Sequence, residues 1–326
     1  MAEVTLVEAV NLALARALES DSDVLVLGQD VGVNGGVFRA TAGLAERFGA
    51  ERVIDTPLAE TLISGMCVGL AAQGLRPVAE IQFMGFMYPA IDQMLNHAAR
   101  LRNRTLGRLS CPMVLRAPFG GGIHAPEHHS ESTEALFAHI PGLRVVIPSS
   151  PGRAYGLLLA AIRDPDPVVF LEPERIYRAF KEKVVDDGEA LPLDVCFVLR
   201  EGGDITLVTW GACVHETLAA ADALAADGVA AEVIDVATLS PMDANTIIQS
   251  VAKTGRCVIV HEAARHVGVG AEIAAELADR GLLSLFAPVK RVTGYDTIMP
   301  LHRLERAYLP TTDRILAAAR QTLEAA

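Results

Sequence analysis

Short, unbroken apolar runs recur along this chain, each followed by a stretch with helical spacing, and no other feature restricts its fold so sharply. "VLVLG" (24–28), "RVID" (52–55), "RPVAEIQF" (76–83), "PMVLRAP" (112–118), "LRVVIP" (143–148) and "PVVFLE" (167–172) form a first series. A strand that is apolar at nearly every position is buried on both faces, and a mostly parallel sheet covered by crossover helices achieves this. An opening helix is expected from Thr5 and Glu8, spaced as a capping box, with Leu6, Ala9, Val10, Ala13, Leu14, Ala17 and Leu18 at helical spacing.

The rhythm breaks between Lys181 and Gly203, where "KEKVVDDGEALPLDVCFVLREGG" brings charges, a proline and a Gly-Gly pair. It restarts with "ITLVTWG" (205–211), "AAEVIDVATL" (230–239), "RCVIVHEA" (256–263) and "VKRVTG" (289–294), before a terminal helix near Asp313 to Ala325. The expected organisation is α/β with two doubly wound domains, residues 1–185 and 204–326, joined by a linker over 186–203. A length of 326 residues is ample for two cores.

Composition excludes several classes. A net charge of −12 repels phosphate backbones and anionic lipid, so neither nucleic acid nor a membrane surface is expected as a partner. The longest nearly apolar segment, Leu62 to Ala72, is interrupted by Ser64, Gly65 and Gly69 and is too short to span a bilayer. The N-terminus has no basic stretch leading into an apolar one, so no secretory signal is read there. Cys67, Cys111, Cys196, Cys213 and Cys257 are scattered without a C-x-x-C pair, as expected of reduced, buried thiols in a cytoplasmic protein.

In open parallel sheets, ligands bind beyond the carboxyl ends of the strands, so the loops there are the places to seek chemistry. "GQDVGVNGGVF" (28–38) carries Gly28, Gly32, Gly35 and Gly36 and allows close backbone approach to a ligand or another chain, or is a flexible surface loop. "DTPLAE" (55–60) places Pro57 and Glu60 at the start of a helix whose dipole stabilises a carboxylate. The helix that follows, "TLISGMCVGLAAQG", is almost wholly apolar and is expected to be buried, which would set Glu60 beside low-dielectric surroundings that favour proton exchange. "PFGGGIHAPEHHSES" (118–132) holds His124, Glu127, His128 and His129. The first three match the H-x-x-E-H zinc-peptidase pattern, but that pattern needs a helix, and Pro126 with three preceding glycines argues for a loop. A histidine serving proton transfer or anion binding is the better reading. In "HVGVGAEIAAEL" (266–277), Gly268 and Gly270 precede a helix, yet Ile273 occupies the third glycine position of a dinucleotide fingerprint, so a helix start near a partner is preferred.

Taken together, "GQDVG", "GGVF", "RVIDTPLAE", "GLRPVAEIQFMGFMYPAIDQ", "HHSES" and "PGLRVVIPSSP" make the chain resemble the beta subunit of the decarboxylating, thiamin-diphosphate-dependent component of 2-oxo acid dehydrogenase complexes. The resemblance runs over essentially the whole length. It implies an N-terminal pyrimidine-binding domain and a transketolase C-terminal-like domain. It further implies that Glu60 hydrogen-bonds N1′ of the cofactor's aminopyrimidine, that Phe86 stacks on that ring, and that Gln82 and Leu58 line the same pocket. His129 aligns with a histidine that handles protons and substrate or lipoyl groups. A structural potassium ion is implied at Met113, Ala161, Ile162, Asp164 and Asp166, at the carbonyl-rich end of the helix closing on "LLLAAIRDPDP".

Thiamin diphosphate enzymes hold Mg²⁺ and diphosphate through a Gly-Asp-Gly motif, and none occurs in this chain. The resemblance assigns that half of the site to an alpha subunit in an α2β2 assembly, with the acyl group passing to a lipoylated dihydrolipoyl acyltransferase core. "GQDVGVNGGVFRATAGL" and "VTGYDT" look most like pyruvate-type members, with branched-chain 2-oxo acids and acetoin as alternatives. A reading from another class is a non-catalytic assembly module; the set Glu60, Phe86 and His129 distinguishes the two.

Overall fold

The computed structural model describes residues 2–325. The chain divides into two compact units. The first runs up to Phe119 and resumes at Leu136–Leu193; the second takes Gly120–Ala135 and the chain from Asp194 onward.

In the first unit, β1 (Ala2–Val4), β2 (Val24–Gly28), β3 (Val53–Asp55), β4 (Arg76–Glu80), β5 (Val114–Phe119), β6 (Arg144–Val146), β7 (Val168–Pro173) and β8 (Glu182–Val184) appear in chain order. Strands β6-β7-β5-β4-β2-β3 lie side by side, every neighbouring pair parallel. β1 and β8 form a separate antiparallel pair. The apolar runs become these central strands, and β5 and β7 are buried at every position.

Helix α1 (Leu6–Ser20) begins where the capping box places it: the Thr5 amide and hydroxyl donate to Glu8 Oε2 at 2.7 and 2.9 Å. The remaining helices of this unit are α2 (Leu44–Phe48), α3 (Glu60–Ala72), α4 (Ile91–Asn96), α5 (Leu101–Arg104), α6 (Glu134–Ala138, which begins in the second unit's segment) and α7 (Pro151–Arg163). The buried stripe of α1, from Leu6 to Leu18, packs on α7, whose first position is the proline that suits a helix start.

The second unit contains β9 (Phe197–Arg200), β10 (Ile205–Thr209), β11 (Ala231–Asp235), β12 (Thr238–Ser240), β13 (Cys257–Val260) and β14 (Lys290–Val292). Its sheet has the order β14-β13-β10-β11-β9, parallel except for β9. The stretch expected as a connection, 186–203, thus contains a strand: β9 pairs antiparallel with β11, and the partial exposure of all four of its residues, that of an edge strand, hides it from a search for unbroken apolar runs. Helices α8 (Cys213–Ala226), α9 (Ala244–Thr254), α10 (Val269–Arg280), α11 (His302–Tyr308) and α12 (Thr312–Glu324) complete the unit. Ile205 and Leu207 point into a core shared with α8 and α12, while Thr206 between them hydrogen-bonds Ser250 and Thr254 of α9, so the two sets of helices cover opposite faces.

Among the described residues no helix is long and apolar enough to cross a membrane, and no cysteine forms a disulfide. Cys67, Cys111, Cys213 and Cys257 are buried and Cys196 is partly so. Burial pushes the Cys111 and Cys257 thiols up to about 12.

Candidate functional site

The loops beyond β2, β3 and β4 meet at one end of the first sheet. The glycine-rich loop after β2 is tied down: the Gly32 and Val33 amides donate to the two oxygens of Asp55, at the end of β3, at 2.7 and 3.1 Å. Gly36 has φ +79°, and a Cβ there would lie 2.8 Å from Glu80 Oε1, so only glycine lets the loop pass over the end of β4. Gln82 Nε2 donates to Asp30 at 3.4 Å. Phe86 stands edge-on to Phe83 with ring centres 5.8 Å apart, and Phe83 likewise meets Phe38 at 5.4 Å.

Glu60 is the first residue of α3, directly after the loop from β3. Its carboxylate has no hydrogen-bond partner among the described residues, and its backbone carbonyl accepts from Ser64. The turn over 84–90 that carries Phe86 packs against α3, where the Thr61 hydroxyl donates to Pro89 O at 2.9 Å. The structure therefore brings Leu58, Glu60, Gln82 and Phe86 onto neighbouring loops of one unit. It also corrects one expectation: α3 is not buried. Ile63, Ser64, Cys67 and Ala71 are, but Leu62 is 50% exposed and Leu58, just before the helix, 69%. The helix packs only one stripe against its own chain, and apolarity around its whole circumference is not matched by protein on every side.

Beneath these loops lies a group that the apolar runs conceal. Arg116 of β5 is 1% exposed and donates bidentately to Glu172 of β7, with both bonds at 2.6 Å, and to Glu80 of β4. Tyr177 donates to Glu172 at 2.5 Å. Burial works against the guanidinium's charge, but Glu172 and Glu80 hold its pKa well above the usual value; burial and Glu172 keep the Tyr177 phenol protonated. The signal is a charged residue set into each of three apolar runs: Glu80 in "RPVAEIQF", Arg116 in "PMVLRAP" and Glu172 in "PVVFLE".

The histidine loop packs with the second unit. It is not helical: Pro126 precedes a single tight turn over Glu127–His129, and His124 has φ +62°. The histidine pair therefore lacks the helical register of the zinc pattern, and among the described residues no His, Cys, Asp and Glu cluster is arranged to hold a metal. His129 is partly buried, whereas His128 and His124 are exposed. Gly121 N–H and the Ser132 hydroxyl donate to Glu262 Oε1 at 3.0 and 2.8 Å; Gly122 N–H donates to Glu305 Oε1 at 2.7 Å, and His124 Nδ1 lies 2.8 Å from Glu305 Oε2.

A second buried polar cluster adjoins that loop. Trp210 Nε1 donates to Glu134 Oε1 at 3.4 Å, and the indole stacks on His261, centres 5.0 Å apart and planes 10° apart. Burial pushes the Glu134 carboxyl up to about 8, and burial with the nearby Arg291 lowers His261 to about 3. The glycines of "HVGVGAE" make room here: a Cβ at Gly270 would lie 2.6 Å from His261 Nε2.

The implied cation ligands gather where α7 ends. Met113 O accepts from Val168 N at 2.9 Å and Ala161 O from Asp164 N at 3.3 Å. Ile162 O and Asp164 O accept from Arg76 at 3.0 and 3.4 Å. Arg144 holds Asp164 at 3.2 Å and Arg102 holds Asp166 at 2.7 Å. A carbonyl oxygen has two lone pairs, so these bonds leave acceptor capacity for a cation, although three arginines already compete for it.

Residues 2–179 match the family model described as transketolase, pyrimidine binding domain, and residues 195–315 that of the transketolase C-terminal domain. The pyruvate dehydrogenase E1 component subunit beta of Bacillus subtilis is 51% identical over 324 residues, covering 99% of this chain and 100% of that one. The chain belongs to the pyruvate dehydrogenase E1 beta-subunit family. A second member, from Staphylococcus epidermidis, is 50% identical over the same span. Among solved structures, this beta-subunit fold is shared with a split-gene transketolase described as an inactive beta4 tetramer, with a TM-score of 0.82 and 24% identity over 98% of this chain and 99% of that one. Transketolase from Leishmania mexicana follows at a TM-score of 0.73 and 16% identity, over 99% of this chain and 46% of that one.

Proposed function

We propose that this chain is the beta subunit of a heterotetrameric pyruvate dehydrogenase decarboxylating component and supplies the aminopyrimidine side of a thiamin diphosphate site. The observation that carries the reading is Glu60: a carboxylate at the head of α3, beyond a strand end of a pyrimidine-binding domain, with no partner of its own among the described residues. Those residues fit the group. Glu60 would hydrogen-bond a ring nitrogen and hold a proton there, Phe86 would give a flat face to the aromatic ring, and Gln82 and Leu58 would line the approach. Thiamin diphosphate, when bound, supplies the carbon nucleophile and electron sink that decarboxylation of a 2-oxo acid needs. His129 handles protons on the substrate or the lipoyl acceptor.

Mg²⁺ and the diphosphate fall to an alpha subunit, because this chain has no Gly-Asp-Gly motif. The exposed Leu58 and Leu62 beside Glu60 support a protein partner over that face, in an α2β2 assembly. A lipoylated acyltransferase core receives the acyl group, and the assembly works in the cytoplasm. K⁺ occupies the carbonyl cluster at Met113, Ala161, Ile162, Asp164 and Asp166; a higher melting temperature in KCl than in choline chloride, lost in Asp166→Ala, is the expected result.

The deciding experiment is thiamin-diphosphate- and Mg²⁺-dependent decarboxylation of pyruvate and of branched-chain 2-oxo acids, by this chain alone and with its alpha subunit. Activity with pyruvate only in the reconstituted complex is expected; activity of the isolated chain would overturn the divided site. In the complex, Glu60→Gln keeps the shape of the side chain and is expected to cost roughly 10²–10⁴ in turnover. Near-normal turnover would reduce the chain to an assembly module.

A further inference from the structure

Glu262 and Glu305 are buried carboxylates that bond backbone amides, a serine hydroxyl and a histidine ring of one loop. Glu262 is 6% and Glu305 3% exposed. Glu262 Oε1 accepts from Gly121 N–H and from the Ser132 hydroxyl, so one oxygen grips both ends of the segment 121–132. Glu305 Oε1 accepts from Gly122 N–H and, at 3.4 Å, from His124 N–H, while its Oε2 meets His124 Nδ1 at 2.8 Å. The Gly120 amide closes the base of the loop on Glu131 O at 2.9 Å. Glycine is required for so close an approach: Gly120 has φ +92°, and a Cβ there would lie 2.1 Å from Glu262 Oε1. Between the grips hangs the Glu127–His129 turn.

We propose that Glu262 and Glu305 are positioning residues: they act through the loop backbone to fix the turn that presents His129. Hydrogen bonds from amides to a buried carboxylate are shorter and stronger than those between neutral groups, and each lost one leaves a polar group stranded. Two such clamps at the ends of a loop replace the rigidity that its glycines and its irregular backbone withhold. The inference rests on the reading of His129 as a group that serves the reaction.

The test has two readouts. In the purified chain, Glu305→Ala and Glu262→Ala are expected to speed hydrogen exchange of the amides in 121–132 by at least about tenfold, with β10 and β13 unchanged and with Glu305→Gln, which keeps an acceptor oxygen, giving the smaller change. In the reconstituted complex, Glu305→Ala is expected to lower kcat with His129 present and to have no further effect in a His129→Ala background, the signature of action through that side chain. Unchanged exchange in 121–132, or a Glu305→Ala loss that persists in full without His129, would overturn the clamp. If His129→Ala alone proves fully active, the role of His129 falls, and the exchange experiment still decides whether the two glutamates fix the loop. Should the alanine variants fail to fold, Glu262→Gln and Glu305→Gln carry both measurements.

Discussion

Each unit buries a polar cluster, and the two meet the cost of leaving water in opposite ways. In the first, Arg116 keeps its charge because Glu172 grips it bidentately and Glu80 takes the remaining side of the guanidinium. In the second, Glu134 and His261 flank Trp210 and give up their charge: with the carboxyl raised to about 8 and the imidazole lowered to about 3, both are mainly neutral at pH 7. The charged cluster joins three strands and underlies the glycine-rich loop through Glu80, where directional bonds hold geometry. The neutral cluster fills space between a helix start and a strand end, where shape suffices.

The contrast breaks most visibly at Arg116. Arg116→Met leaves Glu80 and Glu172 buried without their cation and is expected to cost roughly 3–5 kcal/mol in urea unfolding. A loss below about 1 kcal/mol would mean that the carboxylates reprotonate without penalty and that the two clusters are alike. The next effect in size concerns pH. Between about 4.5 and about 8, the folded protein retains a Glu134 proton that the unfolded chain releases, so this group makes stability fall as pH rises through that window. Glu134→Gln is expected to remove a slope of up to about 1.4 kcal/mol per pH unit from the total, measured as melting temperature against pH; burial also raises the Glu80 carboxyl of the charged cluster, so part of the slope in the same direction should remain. The smallest effect lies outside both: Glu8→Ala loses the two bonds from Thr5 and should cost about 1 kcal/mol, the scale for a partly exposed capping interaction.

Most of the fold was legible, because a parallel strand buried on both faces leaves a continuous apolar run. β2, β10 and β13 lie within runs such as "VLVLG" and "ITLVTWG", β5 and β7 overrun theirs by one residue, and α1 starts at its capping box. β9 was not legible as a strand, because an edge strand with half-exposed residues among charges resembles a linker. The exposure of α3 departs from the sequence reading for a related reason: apolarity around a whole helix does not tell which stripe its own chain buries. In the candidate site, Glu60 and the histidine loop stand out in the sequence as a carboxylate at a helix start and a titratable cluster after three glycines, but Phe86, and His129 among its neighbouring histidines, could be chosen only through the family resemblance. The clamps Glu262 and Glu305 were invisible, since their partners are backbone amides 141 and 183 residues away and the chain carries no local mark of such a pairing.

That separation bears on how the protein is made. At roughly 5–20 residues per second, a ribosome delivers Gly121 on the order of ten seconds before Glu262, and Glu305 later still. Strand β5 and the strands beside it have already emerged by then, so the loop that carries the histidines leaves an early-born domain and waits for anchors not yet synthesised. The nascent chain must keep that segment soluble, and its glycines and polar groups serve this interval as well as the finished structure. A cut between Leu193 and Asp194, however natural as a domain boundary, would yield an N-terminal fragment whose histidine loop never finds its clasp.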